Sequence, residues 1–196
     1  MMRTLPTVAT QNAIPLPLRL PLPGRLLTGR LELRGGEIVP VSYSRLSAKS
    51  RLSAWIQVLA LQVARPDVPA LARIVARDRQ LVLRAPSVQR SQALLTDLVT
   101  LYDSGMREAL PMPLRAAERY AGLAASGIAP DPGNVVNAVR AEWEMDHSPD
   151  WDLFYPHDRL FKIPRPDDPL LRSSEPLWFG ALARRVWDPL LGAMRS

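Results

Sequence analysis

Cysteine is absent from this 196-residue chain, and histidine is limited to His147 and His157. Disulfides, thiolate zinc sites and a cysteine nucleophile are thereby excluded, and two histidines do not furnish a histidine-rich metal site. Long apolar runs are missing too. None approaches the roughly 20 residues that span a bilayer, and the first twenty residues hold scattered prolines and two arginines rather than a signal-peptide stretch. The chain is accordingly expected to be cytoplasmic, with no membrane contact. The phosphate loop Gly-x-x-x-x-Gly-Lys-Ser/Thr does not occur, so no ATPase or helicase chemistry is expected of these residues themselves. Acidic residues are in deficit, 19 against 25 lysines and arginines, for a net charge of +6 and a pI near 10.4. An excess of that sign favours an anionic partner. What remains is ordinary: 47% hydrophobic and 22% charged residues suit one folded domain.

Proline is plentiful, and its placement sets the first boundary. Ile14-Pro15-Leu16-Pro17 and Leu20-Pro21-Leu22-Pro23 lose backbone donors and bias the preceding residues to extended geometry. Residues 1–23 therefore read as a proline-rich connector, with one domain over 24–196. Cations are uneven along it. Residues 24–51 carry six (Arg25, Arg30, Arg34, Arg45, Lys49, Arg51) against Glu32 and Glu37, and residues 65–90 repeat that balance. Residues 140–175 are acidic instead.

Periodicity gives the elements. Leu27, Gly29, Leu31 and Leu33 alternate with Thr28, Arg30 and Glu32, and Ile38 to Tyr43 form a returning strand across a Gly35-Gly36 turn, where positive φ is needed at both positions. Ser47 or Ser50 caps a helix with Leu52, Trp55, Ile56, Val58, Leu59, Leu61 and Val63 on its apolar face. Residues 71–76 and 80–84 read as two further strands, for a sheet of at least four. A helix capped by Ser87 is expected to bury Leu94, Leu95, Leu98, Tyr102 and Met106 and to end by Gly105 and Pro111. Helices follow at 114–125 and at 132–145, the latter with Asp131 as cap and Pro132 at its first position. Residues 146–174 are loop-rich, with Trp151, Phe154, Tyr155 and Phe161 packed over a core. A last helix carries the stripe Trp178, Phe179, Leu182 and Val186, with a kink or restart at Pro189.

The hairpin at 28–44 is similar to the metal-binding hairpin of restriction-endonuclease-type nucleases, the PD-(D/E)xK class. Active members place one acid on the first strand and an Asp/Glu-x-Lys triplet at the end of the second, because side chains two apart share a face and converge on the metal. Here Glu32 stands at the first position, and Ser42 and Ser44 stand in the triplet with Tyr43 pointing the other way. Two hydroxyls supply neither the anion nor the cation of that chemistry. On this stretch alone an ordinary hairpin with surface serines is the equal alternative.

Two later stretches carry a more specific resemblance. The run Ser-Gln-Ala-Leu-Leu-Thr-Asp-Leu-Val-Thr-Leu-Tyr-Asp-Ser-Gly-Met-Arg-Glu-Ala-Leu-Pro-Met-Pro-Leu-Arg-Ala-Ala-Glu-Arg-Tyr at residues 91–120 resembles the C-terminal domain of RecC, the gamma subunit of exodeoxyribonuclease V (RecBCD). So does Trp-Phe-Gly-Ala-Leu-Ala-Arg-Arg-Val-Trp-Asp-Pro-Leu-Leu at 178–191, in the form of actinobacterial versions. The resemblance implies an α/β, restriction-endonuclease-like core sheet flanked by helices, with a degenerate active site (Glu32, Ser42, Ser44) and a helical C-terminal part. It implies no catalytic residue, metal or cofactor, RecB-type and RecD-type subunits as partners, and double- and single-stranded DNA; the cations clustered on the hairpin and helix start, Arg30, Arg34, Arg45, Lys49 and Arg51, are the expected DNA contacts. The function it points to is a noncatalytic module for assembly and DNA guidance in double-strand break repair and recombination. The alternative is an active metal-dependent nuclease with relocated ligands, drawing on Glu32 with Glu37 or Asp78.

Overall fold

The computed structural model describes residues 10–128, 131, 134–156, 159–167 and 175–194. Within them the chain is α/β, and it divides into two compact units, one reaching to Leu101 and the other spanning Tyr102–Gly192. Among the described residues no helix is long and apolar enough to cross a membrane.

The first unit holds a five-stranded mixed sheet in the order β1 (Ile14–Leu22), β2 (Arg25–Arg34), β3 (Glu37–Ile38), β4 (Leu71–Val75), β5 (Gln80–Arg84). The segment 14–22, read from its prolines as connector, is a strand paired with β2 over its whole length, from Ile14↔Leu33 to Leu22↔Arg25. Two features rescue it from proline. Gly24 takes φ 69 in the two-residue turn after Leu22, and β1 is an edge strand with Pro15, Pro17 and Pro21 at alternate positions. Alternate residues aim their N–H groups to the same side, so these three face away from β2, where no donor is required. The outer edge is thus depleted of donors and guarded against strand addition. Leu18, Leu20 and Leu22 meanwhile turn inward.

The Gly35-Gly36 turn forms as expected, with φ 58 and 84 and the pairs Leu33↔Ile38 and Arg34↔Glu37. β3 then pairs in parallel with β4, a geometry that needs a long crossover, and α1 (Ala48–Ala64) provides it. Ser47 caps this helix by accepting the Ser50 N–H at 3.1 Å. Trp55, Val58, Leu59 and Leu61 are buried over the sheet, but Ile56 lies on the solvent side, because the buried stripe is centred between Trp55 and Leu59. Gln62 is the buried polar exception. Its Oε1 accepts the Ala70 N–H at 2.9 Å and ties the helix to the start of β4.

α2 (Val88–Gly105) begins as expected, with Ser87 Oγ accepting the Arg90 N–H. It buries Leu94, Leu95 and Leu101, whereas Tyr102 and Met106, assigned to the core by the sequence pattern, are exposed. Leu94 and Leu101 are seven residues apart and define the inward stripe, which leaves Tyr102 a step of about 100° beyond it.

The second unit contains α3 (Leu114–Ala125), α4 (Val135–Asp146), the short α5 (Pro149–Phe154), a 3-10 turn at Arg159–Lys162, and α6 (Trp178–Ala193). Pro132, expected to open α4, lies outside the described residues, and Asn134 precedes the helix without a side-chain cap. Four rings form the core: Trp143 meets Phe161 edge-on at 5.4 Å, Phe161 meets Phe179 at 4.7 Å, and Phe179 meets Tyr120 at 5.4 Å. Phe154, expected inside, is exposed on α5, while Phe161 is fully buried. α6 runs through Pro189 without restarting, since only one N–H is lost and Val186, Trp187 and Leu190 anchor the last turns. The stripe of Phe179, Leu182 and Val186 is therefore core.

Polar contacts lock these helices. Asp146 at the end of α4 accepts the Arg115 N–H at 2.5 Å and the Ala116 N–H at 3.4 Å, capping α3 where Pro113 offers no side-chain acceptor. Buried Glu175 accepts the Tyr120 hydroxyl at 2.6 Å and a guanidinium N–H of Arg184 at 3.1 Å. Burial first, and then this carboxylate, push the Tyr120 phenol above its ordinary range.

Gly180 lies against that pair: a Cβ there would fall 2.9 Å from the Tyr120 hydroxyl and 3.1 Å from Glu175 Oε2. Replacing it by alanine is expected to lower stability by about 1–3 kcal/mol despite the gain in helix propensity. Thermal melts of Gly180→Ala and of Gly180→Ala with Tyr120→Phe test this. The second change removes the clashing hydroxyl and should recover part of the loss.

Candidate nucleic-acid interface

Beyond Ile38 the chain keeps its course beside β4. The Val75 N–H is donated to Pro40 O at 3.0 Å, Val41 bridges Val75 in parallel, and the Ser42 N–H is donated to Val75 O at 2.9 Å. The zip continues past the strands. The Arg77 N–H reaches Ser44 O at 3.0 Å, and the Leu46 N–H reaches Asp78 Oδ1 at 2.8 Å. The loop 42–46 is thus fastened to the tip of the β4–β5 hairpin, which closes with the Ala76 N–H donated to Arg79 O at 3.0 Å.

Each carboxylate of this region is committed to its own partner. Glu32 lies on the exposed face of β2, 3.0 Å from Arg30 Nε. Glu37 receives Arg73 through two contacts, Nε at 3.1 Å and a terminal nitrogen at 3.4 Å. Asp78 accepts from Leu46 and pairs with Arg79 Nε at 3.2 Å. The Leu46 N–H is the main reason its carboxyl lies below the ordinary range, with Arg79 adding to it. Among the described residues no group of three or more His, Cys, Asp or Glu is placed to hold a metal.

Of the positions expected to be a degenerate centre, Ser42 and Ser44 lie together, with the Ser44 N–H donated to Ser42 Oγ at 3.1 Å. Glu32 does not join them. The register Leu33↔Ile38, carried back one step, sets Glu32 across from Val39, three residues short of Ser42. The donor set therefore does not fit a divalent cation.

The expected DNA-binding cations divide in the same way. Arg30 is paired with Glu32, Arg34 donates to the carbonyl of Gln11, and Arg51 is partly buried. Arg45 and Lys49 are exposed. Arg45 is joined by two cations the sequence did not assign to a site, Arg77 and Arg79, brought beside it by the bonds between Ser44 and Arg77 and between Leu46 and Asp78. Their signal in the sequence was the Arg77-Asp78-Arg79 triplet between two strands, which marks a turn but not its neighbour. Tyr43, between the two serines, is 94% exposed.

A family model for the RecC C-terminal domain matches residues 2–124. The chain is similar to the RecBCD enzyme subunit RecC of Mycobacterium tuberculosis, 32% identical over 192 residues, which cover 88% of this chain and 17% of that protein. It is equally similar to the RecBCD enzyme subunit RecC of Mycolicibacterium smegmatis, 32% identical over 186 residues and with the same 88% and 17% coverage. The chain thus spans 17% of the length of the curated relatives it matches.

The Leu46–Asp78 bond holds the loop to the hairpin, and its pH dependence follows from the sign of the shift. A folded carboxyl depressed below its unfolded value of about 3.9 stabilises the contact above that value, and the contribution fades as pH falls through the lower folded one. Amide hydrogen exchange at neutral pH should be faster at Leu46 and Arg77 in Asp78→Ala than in the unaltered chain, and the difference should shrink on acidification below about pH 4. Equal exchange at neutral pH would deny the contact its role.

Proposed function

The chain belongs to the RecC C-terminal domain family, and from that membership we propose that it is the nuclease-like but noncatalytic module of a RecC-type subunit of the RecBCD helicase-nuclease. It serves double-strand break repair and recombination by assembling with RecB-type and RecD-type subunits and by guiding DNA. The observation that carries the noncatalytic half is the dispersal of the carboxylates: Glu32 on Arg30, Glu37 on Arg73 and Asp78 on Leu46 and Arg79, with Ser42 and Ser44 where an active relative needs an acid and a lysine. Metal-assisted phosphodiester cleavage requires acids converging within a few ångströms, so that one or two cations stabilise the attacking and leaving oxygens together. The restriction-endonuclease-like core is supported by the order of elements: an antiparallel hairpin, a crossover helix, then a parallel strand.

The guidance half rests on charge. Arg45, Lys49, Arg77 and Arg79 are exposed on one continuous stretch of loop, helix start and hairpin tip, with no base-reading motif beside them. Such cations neutralise phosphates and release counterions, which gives binding without sequence preference. A cytoplasmic setting agrees with this reading.

Two measurements test it. The purified chain is expected not to hydrolyse linear duplex or single-stranded DNA with magnesium or manganese; cleavage that disappears in Glu32→Ala would reinstate the relocated-ligand nuclease. In fluorescence anisotropy, log K should fall with log salt by roughly 0.9 per phosphate contacted, and Arg45→Ala or Lys49→Ala should each flatten the slope by about one contact. Tight binding that persists at high salt, or a clear preference for one sequence, would contradict guidance.

A further inference from the structure

We infer that Tyr43 is a stacking platform for an unpaired base, and that Arg45, Arg77 and Arg79 hold the phosphates on either side, so this corner takes single-stranded DNA in preference to duplex. The inference rests on the DNA-guidance reading and adds to it a substrate form and a recognition residue. Tyrosine ordinarily covers most of its ring and leaves only the hydroxyl wet. Tyr43 is 94% exposed, the most exposed of the large hydrophobic side chains described.

Its backbone, by contrast, is held on both sides. Ser42 donates to Val75 O at 2.9 Å, Ser44 donates back to Ser42 Oγ at 3.1 Å, and Ser44 O takes the Arg77 N–H at 3.0 Å. An apolar ring presented from a fastened backbone loses little entropy when a flat partner covers it. The rim supplies the rest of the recognition. Arg45 follows within two residues, Arg77 is bonded to the neighbouring Ser44, and Arg79 closes the same hairpin tip. The acid in their midst, Asp78, is turned to the Leu46 N–H and to Arg79, which reduces its repulsion of a phosphate.

An exposed aromatic ring with arginines on its own loop and on the hairpin tip fastened to that loop matches a nucleotide whose base is free. In duplex DNA both faces of each base are already stacked, so only the arginine contacts remain available and the tyrosine adds nothing. An acidic protein segment would satisfy the arginines but would leave the ring uncovered. Single-stranded DNA uses both.

The experiment compares the full chain with Tyr43→Ala and Tyr43→Phe by fluorescence anisotropy, on three probes of about 12 units: a single-stranded thymidine oligonucleotide, the same backbone with abasic sites, and a duplex. Tyr43→Ala should weaken single-strand binding by about 5- to 150-fold, should change abasic-strand and duplex binding little, and should be rescued by Tyr43→Phe. Circular dichroism should be identical for all three proteins, because the side chain supports no core. Unchanged single-strand affinity in Tyr43→Ala, an equal loss on the abasic strand, or absence of single-strand binding would overturn the stacking role. Arg45→Ala and Arg77→Ala separate the two levels. If they weaken both single strand and duplex while Tyr43→Ala is silent, guidance stands and stacking fails; if no arginine matters on either probe, the guidance reading fails with it.

Discussion

The parallel seam between β3 and β4 is the constraint on which the first unit depends. β3 is assigned only over Glu37–Ile38, yet its continuation to Ser42 is bonded to the backbone of Val75. A strand flanked on one side by an antiparallel partner and on the other by a parallel one has both sets of backbone groups satisfied and both faces available to the core. Ile38 and Val39 are accordingly buried although they are adjacent. Because parallel neighbours cannot be joined by a tight turn, the seam requires the crossover helix α1, and α1 in turn covers the sheet. The loop 42–46 reaches the β4–β5 tip because the seam delivers both to the same end of the sheet.

Electrostatics at that end differ from those of a metal centre. A divalent cation draws carboxylates together, and without one like charges close in space repel and require compensation. Each acid here has a cation or an N–H of its own, so the region is neutralised pair by pair. Arg45 and Arg77 sit on loop and turn, where their charge faces water. That end of the sheet presents an exposed basic corner.

The second unit depends on fewer, more deeply buried contacts. A chain of edge-to-face rings gives it a core, and the Glu175 carboxylate joins the Tyr120 hydroxyl to the Arg184 guanidinium where an unpaired charge would be costly. Gly180 belongs to the same arrangement. Its lack of a side chain lets the Tyr120 hydroxyl and the carboxylate approach the helix backbone. The residues 178–191 that carry part of the family resemblance are therefore core residues for much of their length, with Phe179, Leu182, Val186, Trp187 and Leu190 all buried.

The sequence by itself determined whatever depends on neighbours a few residues apart. The Gly35-Gly36 turn, the Ser47 and Ser87 caps, the alternation of β2 and β5 and the family motifs are short-range patterns, and each was legible. Proline misled at residues 14–22, because a missing N–H excludes a central strand but not an edge strand, and which edge is free is not a local property. Helical period located α1 and α2 but missed the rotation of their buried stripes at Ile56 and Tyr102, since an apolar stripe wider than the contact leaves its margin to the packing partner. Phe154 and Phe161 were indistinguishable in a proline-rich stretch, and only the rings around Phe161 separate them. The candidate site was divided in the same manner. Ser42 and Ser44 were read as departures from a nuclease triplet, and the register across the Gly35-Gly36 turn sets Glu32 opposite Val39, away from both, whereas the association of Arg45 with Arg77 and Arg79 was decided by the contact of the 42–46 loop with the β4–β5 tip. That contact is made by hydrogen bonds between segments some thirty residues apart, such as Leu46 to Asp78, 32 positions on, and no local pattern encodes a bond of that separation.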